Sequence, residues 1–360
     1  MISRRAFLAA PLIPLAMRAA ENKPNVALVI APGWRGVDAP WSGDSPVAAP
    51  NLSKFAEGAA VFPRAYACDP ATDPARSGIL TGRYPHVNGV LTDGGALRAE
   101  EVTLDAVLKL AGYSAVDSLE GAPRAPFFWK VTLEASRAAP VDPAKIRLRD
   151  NVPKDFEDKA RKALAARYAD CTAMDAQFGK VLSALDRAGV ANDTMVVFTS
   201  DRGEQLGSHG LEGAGVAYEE STRILFAIRF PRVMSGSASD MAASQVDILP
   251  TVLGLCGEPM FEGIQGHDLS PFLMGGTGER PESVYVEGKL DTKEEWRMVV
   301  VGSDKLVVDA EGAVTQLFNL ASDPLEKKNL ASDAPAQLRR DSLLAVLRAR
   351  RSGLLDFRRR

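Results

Sequence analysis

Two short runs of apolar, β-branched residues constrain this chain more than any other feature: NVALVIA over Asn25–Ala31 and TMVVFT over Thr194–Thr199. Runs of this length without polar alternation fit strands buried on both faces, as in a parallel sheet covered by helices. Parallel neighbours need long crossovers, usually helical, and the intervening chain has them. Helical spacing is read over Asn51–Glu57, from Ser77, over Thr103–Ala111 and over Asp155–Ala188. Further strands are expected at Pro126–Leu133 and Ile224–Phe230, with a helix at Gln245–Cys256. From Glu282 the pattern changes to short strands at Val284–Val286, Trp296–Val301 and Lys305–Val308, followed by a helix near Leu338–Arg350. Gly and Pro cluster at Gly275–Arg280 and mark a boundary. The expected architecture is α/β: a large mixed, mostly parallel sheet flanked by helices over residues 22–278. A small C-terminal α+β subdomain of antiparallel sheet plus helix follows over 280–360.

With 46% hydrophobic residues in 360, the chain can bury a substantial core. A formal charge of -3 gives no electrostatic footing for nucleic acid. The basic run Arg348–Arg360 reads as a solvated helix end and tail. Near the start, Arg4 and Arg5 precede Phe7-Leu8 and a short apolar run, the pattern of a twin-arginine export signal over residues 1–20. Export to the periplasm or another extracytoplasmic space is therefore expected. Ala6–Met17 contains Pro11 and Pro14 and is shorter than the roughly twenty residues of a membrane span. Arg18 stands where a small residue is expected before a cut after Ala20, which leaves signal cleavage open. The three cysteines, Cys68, Cys171 and Cys256, have no close spacing and point to neither a zinc site nor a disulfide framework. Cys68 reads as a small buried apolar residue, and pairing of two of the three after export stays open.

The segment ACDPATDPARSGILTGRYPH, Ala67–His86, resembles the nucleophile segment of sulfatases, in which Cys or Ser is followed by Pro, Ser or Ala, Arg and a Leu-Thr-Gly-Arg ending. Pro74, Ala75, Arg76, Leu80, Thr81, Gly82 and Arg83 fit that pattern. KPNVALVIA, APNLSKFAEGAAVFPRAYA, TMVVFTSDRGEQLGSHG, YEESTRILFAIRFP, VDILPTVLGLCG and LFNLASDPLEKKNLA continue the resemblance in order. It implies an alkaline phosphatase/sulfatase-like fold, a sulfuric-ester-hydrolase ancestry and, in active members, calcium held mainly by carboxylates.

The same resemblance exposes departures. Thr72 stands at the Cys/Ser position and cannot become formylglycine. Pro32 and Gly33 replace the two aspartates that end the first strand. Asp201 is retained as the one matching metal ligand, but Arg202 follows it where His or Asn is expected. Ala214 replaces a sulfate-binding Lys, Asp117–Gly121 replaces a Gly-Lys-Trp-His segment, and Glu134 or Ala135 replaces a further His. The expectation is no bound metal or other cofactor and little or no turnover. Arg76, Arg202 and His209 are the anion-binding candidates, for a sulfated or other anionic small molecule or glycan. Of the other two histidines, His86 reads as a packing residue and His267 as a turn residue. Two alternatives stand beside this: an active sulfate or phosphate ester hydrolase using Thr72 as nucleophile, and a non-catalytic scaffold for a partner protein.

Overall fold

Asn25–Ala31 forms strand β1, buried at every residue, and it lies inside the main sheet. The computed structural model describes residues 23–42, 45–120, 124–136, 141–234, 237–238, 240–276 and 280–355. The export signal, the end of the basic tail and part of the Gly275–Arg280 boundary fall outside them. The main sheet has seven strands in the order β4 (Ser114–Val116), β5 (Phe127–Thr132), β1, β6 (Thr194–Ser200), β8 (Phe226–Arg229), β2 (Ala60–Val61) and β9 (Ser237–Ala238). All run the same way except β8, which is antiparallel to β6 and β2. The mostly parallel arrangement read from the apolar runs is what the chain forms.

Side chains of β1 and β6 alternate between two cores, following the two-residue period of a strand. Val26, Leu28, Ile30, Met195 and Val197 face one core, together with Ile79, Leu104, Leu108 and Leu249. These last belong to α2 (Thr72–Thr81), α4 (Leu104–Leu110) and α7 (Ile248–Cys256). Ala27, Val29, Val196 and Phe198 face the other, with Leu52 and Phe55 of α1 (Pro50–Glu57) and Leu164, Met174 and Phe178 of α5 (Glu157–Arg187). Each fully buried Val, Leu or Ile contributes about 1.5–3 kcal/mol. Ala49, the N-cap of α1, offers no side-chain acceptor. Buried Asp175 on α5 replaces it, accepting from Asn51 N at 3.1 Å and Leu52 N at 2.8 Å.

Two smaller sheets complete the fold. The expected strand Ile224–Phe230 is divided: β7 (Arg223–Ile224) leaves the main sheet to join β3 (Arg64–Tyr66) and β10 (Ala242–Ser244), while β8 stays in it. The third sheet is antiparallel, in the order β11 (Ser283–Gly288), β12 (Trp296–Val301), β13 (Asp304–Asp309), β14 (Val314–Asn319). Its last strand was not expected from the sequence. One face packs Val284, Val286, Met298 and Val300 on Tyr66 and Ala242. The other packs Val299, Leu306 and Leu317 on Leu343 and Leu347 of α9 (Gln337–Leu355). α3 (Pro85–Asn88), α6 (Glu219–Thr222) and α8 (Ser270–Leu273) are single turns. Among the described residues no helix is long and apolar enough to cross a membrane.

Lys305, on β13, is a fully buried cation in the join between the sheets. It is 0% exposed, and its ammonium lies 3.2 Å from Glu219 and 2.7 Å from Glu326. Removing one partner of a buried ion cluster typically costs about 3–5 kcal/mol, because the remaining charges are left uncompensated. Lys305→Met is expected to lower unfolding stability by about that amount in urea titration, and a loss below about 1 kcal/mol would contradict the buried-cluster assignment.

Candidate functional site

The carboxyl ends of β1 and β6 lie side by side, since Ala31 and Ser200 are partners in the parallel register. Ligands in open α/β sheets collect outside such strand ends. Asp201 follows β6 and is 1% exposed. Its Oδ1 accepts from Gly33 N at 2.8 Å, and its Oδ2 accepts from Arg76 Nε at 3.2 Å and Nη2 at 3.0 Å. Gly33 adopts the left-handed region at φ +65°. A Cβ built there would come 3.0 Å from Arg167 Nη1, so Arg167 of α5 lies over the turn where the family resemblance implies carboxylates.

Thr72 does not sit in a loop ahead of the helix. It is the first residue of α2, five residues earlier than the sequence pattern placed the helix start. Its Oγ1 accepts from Arg202 Nε at 3.1 Å. Arg202 Nη1 also donates to Glu204 Oε1 at 2.7 Å, and Arg167 Nη2 donates to Glu204 Oε2 at 2.7 Å. Burial alone would raise the Glu204 pKa, but Arg167 and Arg202 outweigh it and hold this carboxyl below its ordinary range. Three guanidinium groups thus face two carboxylates. Arg76 and Arg202 keep 32% and 23% of their side-chain surface exposed, enough to meet a solute.

Gln245 fixes the site from behind. Its Nε2 donates to Ser200 O at 2.9 Å and Asp201 O at 2.6 Å, and its Oε1 accepts from Cys68 N at 3.0 Å. The amide therefore ties the end of β6 to the segment leading into α2. Cys68 is fully buried, and burial pushes its thiol well above the usual range. A Cβ on Gly78 would meet its sulfur at 2.3 Å, so Cys68 fills a packing gap, in keeping with the inert reading. All three cysteines are free thiols and buried.

His209 is not brought to this group. Its ring stacks on Tyr218 at a centroid distance of 3.8 Å, and its Nε2 lies 3.1 Å from Asn151 Nδ2 and 3.8 Å from Glu220 Oε2. The anion-binding candidates brought together are therefore Arg76 and Arg202, with Thr72 and Asp201, while His209 belongs to a separate buried cluster. His86 binds Glu287 at 2.7 Å and His267 lies 3.4 Å from Asp247. Arg167 and Gln245 were missed. Gln245 opens a helical run and Arg167 sits inside one, and the one available signal was Glu204, a carboxylate two residues after Arg202 that needs a second cation.

Calcium in the family's manner needs about six to eight oxygen donors. Asp201 is a single carboxylate, and the side chain bonded to it is the Arg76 guanidinium, which cannot ligate. The residues around Asp201 therefore do not fit that ion.

Comparison with known proteins agrees with this fold. A phosphonate monoester hydrolase of Agrobacterium radiobacter superposes with a TM-score of 0.81 over 92% of this chain and 96% of its own, at 20% identity. A protein solved in complex with its substrate D-glucosamine-2-N,6-O-disulfate gives 0.80 over 93% and 99%, at 17% identity. In sequence, an ulvan-active sulfatase of Formosa agariphila is 26% identical over 334 residues, covering 70% of this chain and 65% of the relative. An arylsulfatase K of Danio rerio is 31% identical over 213 residues, covering 54% and 41%. The chain thus spans less than two thirds of either curated relative. The family model described as Sulfatase matches residues 24–119 and 115–258, more than half of the sequence, and the chain belongs to the sulfatase family within the alkaline phosphatase-like superfamily.

Proposed function

We propose that this exported sulfatase-family protein binds a sulfated or similarly anionic ligand at Arg76, Arg202 and Thr72, without a divalent cation and with little or no hydrolysis. The observation that carries the reading is the double commitment of the site. Asp201 is closed by Gly33 N–H and Arg76, while the Thr72 hydroxyl accepts from Arg202. An alcohol nucleophile needs a base or a metal to activate it, and neither stands beside Thr72 among the contacts it makes. What remains is recognition: planar guanidinium groups match tetrahedral oxyanions through paired N–H donors. Arg76 Nη1 and Arg202 Nη2 have no protein acceptor among the described residues and remain available to a ligand oxyanion. The structural relative solved with D-glucosamine-2-N,6-O-disulfate has that disulfated sugar as its substrate, which supports a sulfated sugar as the ligand class here.

Calorimetry with a panel of sulfated sugars is expected to show binding that is unchanged by chelator or added calcium. Arg202→Ala is expected to weaken it about 10- to 100-fold, given about 1.5–3 kcal/mol for a charge-assisted hydrogen bond. Turnover of aryl sulfate or aryl phosphate esters that disappears in Thr72→Ala would replace this reading with a hydrolytic one.

The pH dependence follows from Glu204. Its folded-state pKa lies below the ordinary value of 4.5, so its ion pairs contribute stability that is complete above that value. The contribution is lost as pH falls through the lowered pKa. The thermal midpoint of the wild-type protein is expected to drop more steeply below pH 4.5 than that of Glu204→Gln; parallel curves would show that the Arg167–Glu204–Arg202 bridge adds nothing.

A further inference from the structure

His209, Glu220 and Glu326 place one ring nitrogen and two carboxylate oxygens within 4.8 Å of one another. They come from three segments: the glycine-rich loop after β6, the turn α6, and the chain following β14. Glu220 is 1% exposed and Glu326 is 3% exposed. Glu220 Oε2 faces His209 Nε2 at 3.8 Å and is buried without a hydrogen-bond donor. Beside it, Asn151 is 8% exposed and its Oδ1 is also buried without a partner. The orphaned Glu220 Oε2 is an acceptor that a cation held beside His209 Nε2 would satisfy.

The remaining oxygens are held from outside. Glu220 Oε1 accepts from Asn151 Nδ2 at 2.9 Å and pairs with Arg149 Nε at 3.0 Å. Glu326 Oε2 accepts from Glu219 N at 2.7 Å, and Lys305 lies 2.7 Å from Oε1. Carboxylates that ligate a metal are commonly fixed by just such outer contacts. Close positive charge comes from Lys305 and Arg149, which serve Glu219, Glu220 and Glu326, while buried Arg35 adds its field at Glu220 and Arg223 stands off at 3.9 Å from Glu219.

We propose that His209 Nε2, Glu220 Oε2 and one carboxylate oxygen of Glu326 bind a first-row divalent transition-metal ion, clasping the glycine-rich loop to the C-terminal subdomain. A mixed imidazole and carboxylate set suits zinc or manganese, whereas calcium takes oxygen donors alone. The site is distinct from the Asp201 group and needs no turnover. On ion binding, Asn151 Nδ2 gives up its contact with the His209 ring and keeps those with Glu220 Oε1 and the Leu325 carbonyl.

The full chain, stripped with chelator and dialysed, is titrated with zinc alone and with manganese alone in a calorimeter and followed by thermal melting. One ion per chain and a raised thermal midpoint are expected. His209→Asn tolerates the left-handed backbone there and should weaken binding by more than the roughly 10–100-fold seen on losing an outer-shell partner. Glu220→Gln should do the same, while the surface change Arg232→Ala should leave uptake unchanged. No stoichiometric uptake of either ion by the wild-type protein overturns the proposal, as does uptake that survives both His209→Asn and Glu220→Gln. A third contrary result is a His209 ring that responds in NMR spectra to pH but not to zinc, which would mean that the gap holds a proton.

Discussion

The buried carboxylate of Asp201 is the constraint around which the rest of the site is arranged. An isolated carboxylate at 1% exposure would cost several kcal/mol, so it must find donors, and the two strand ends decide which can reach it. Gly33 turns into the left-handed region just after β1 and aims its N–H at Oδ1. Lacking a side chain, it also leaves space for the Arg167 guanidinium. Arg76 comes from the second turn of α2, whose first residue is Thr72. The same helix that neutralises Asp201 therefore delivers the Thr72 hydroxyl to Arg202. Where the family's resemblance implies a cation between carboxylates, this chain supplies the positive charge covalently, on side chains that cannot dissociate.

Much of the main sheet was legible because its physics is local. A strand buried on both faces is apolar along most of its length, and β1 and β6 announce themselves in sequence for that reason. The long helix α5 shows its spacing equally plainly. β14 was not legible: Val314–Asn319 mixes exposed and buried residues and includes Thr315, Gln316 and Asn319, because only one end of it enters the core. The division of Ile224–Phe230 between two sheets was hidden as well. A continuous apolar run says that a segment is buried without saying which neighbour it pairs with.

Within the site, positions tied to a motif were readable and positions tied to tertiary approach were not. Thr72, Arg76, Asp201 and Arg202 were found through spacing against a family pattern. Arg167 and Gln245 act from helices distant in sequence, and nothing adjacent marks them. His209 illustrates the opposite error. Its closeness to Asp201 in sequence suggested a shared pocket, but the loop between them carries left-handed residues at Leu206, Gly207 and His209, and this turns the ring onto Tyr218 and Glu220.

That loop joins the two polar clusters physically. Non-glycine residues in the left-handed region cost on the order of 1–3 kcal/mol each, so Leu206 and His209 hold their conformation only because contacts on both sides enforce it. On one side Gly203 N donates to Ser221 O at 2.9 Å. The approach is so close that a Cβ on Gly203 would lie 2.1 Å from the Glu220 carbonyl. On the other side His209 N donates to Asn151 O at 2.8 Å, and Gln205 N to Gly213 O at 2.7 Å. Arg202 sits at the start of this span, so its guanidinium is aimed by a backbone whose shape is set largely by Glu219–Ser221 and Asn151. The C-terminal subdomain enters the same chain of contacts through Lys305 and Glu326, both bonded to Glu219. A change buried among these acids should therefore reach the anion-facing side of Arg202 through the loop, without touching Asp201 or Thr72.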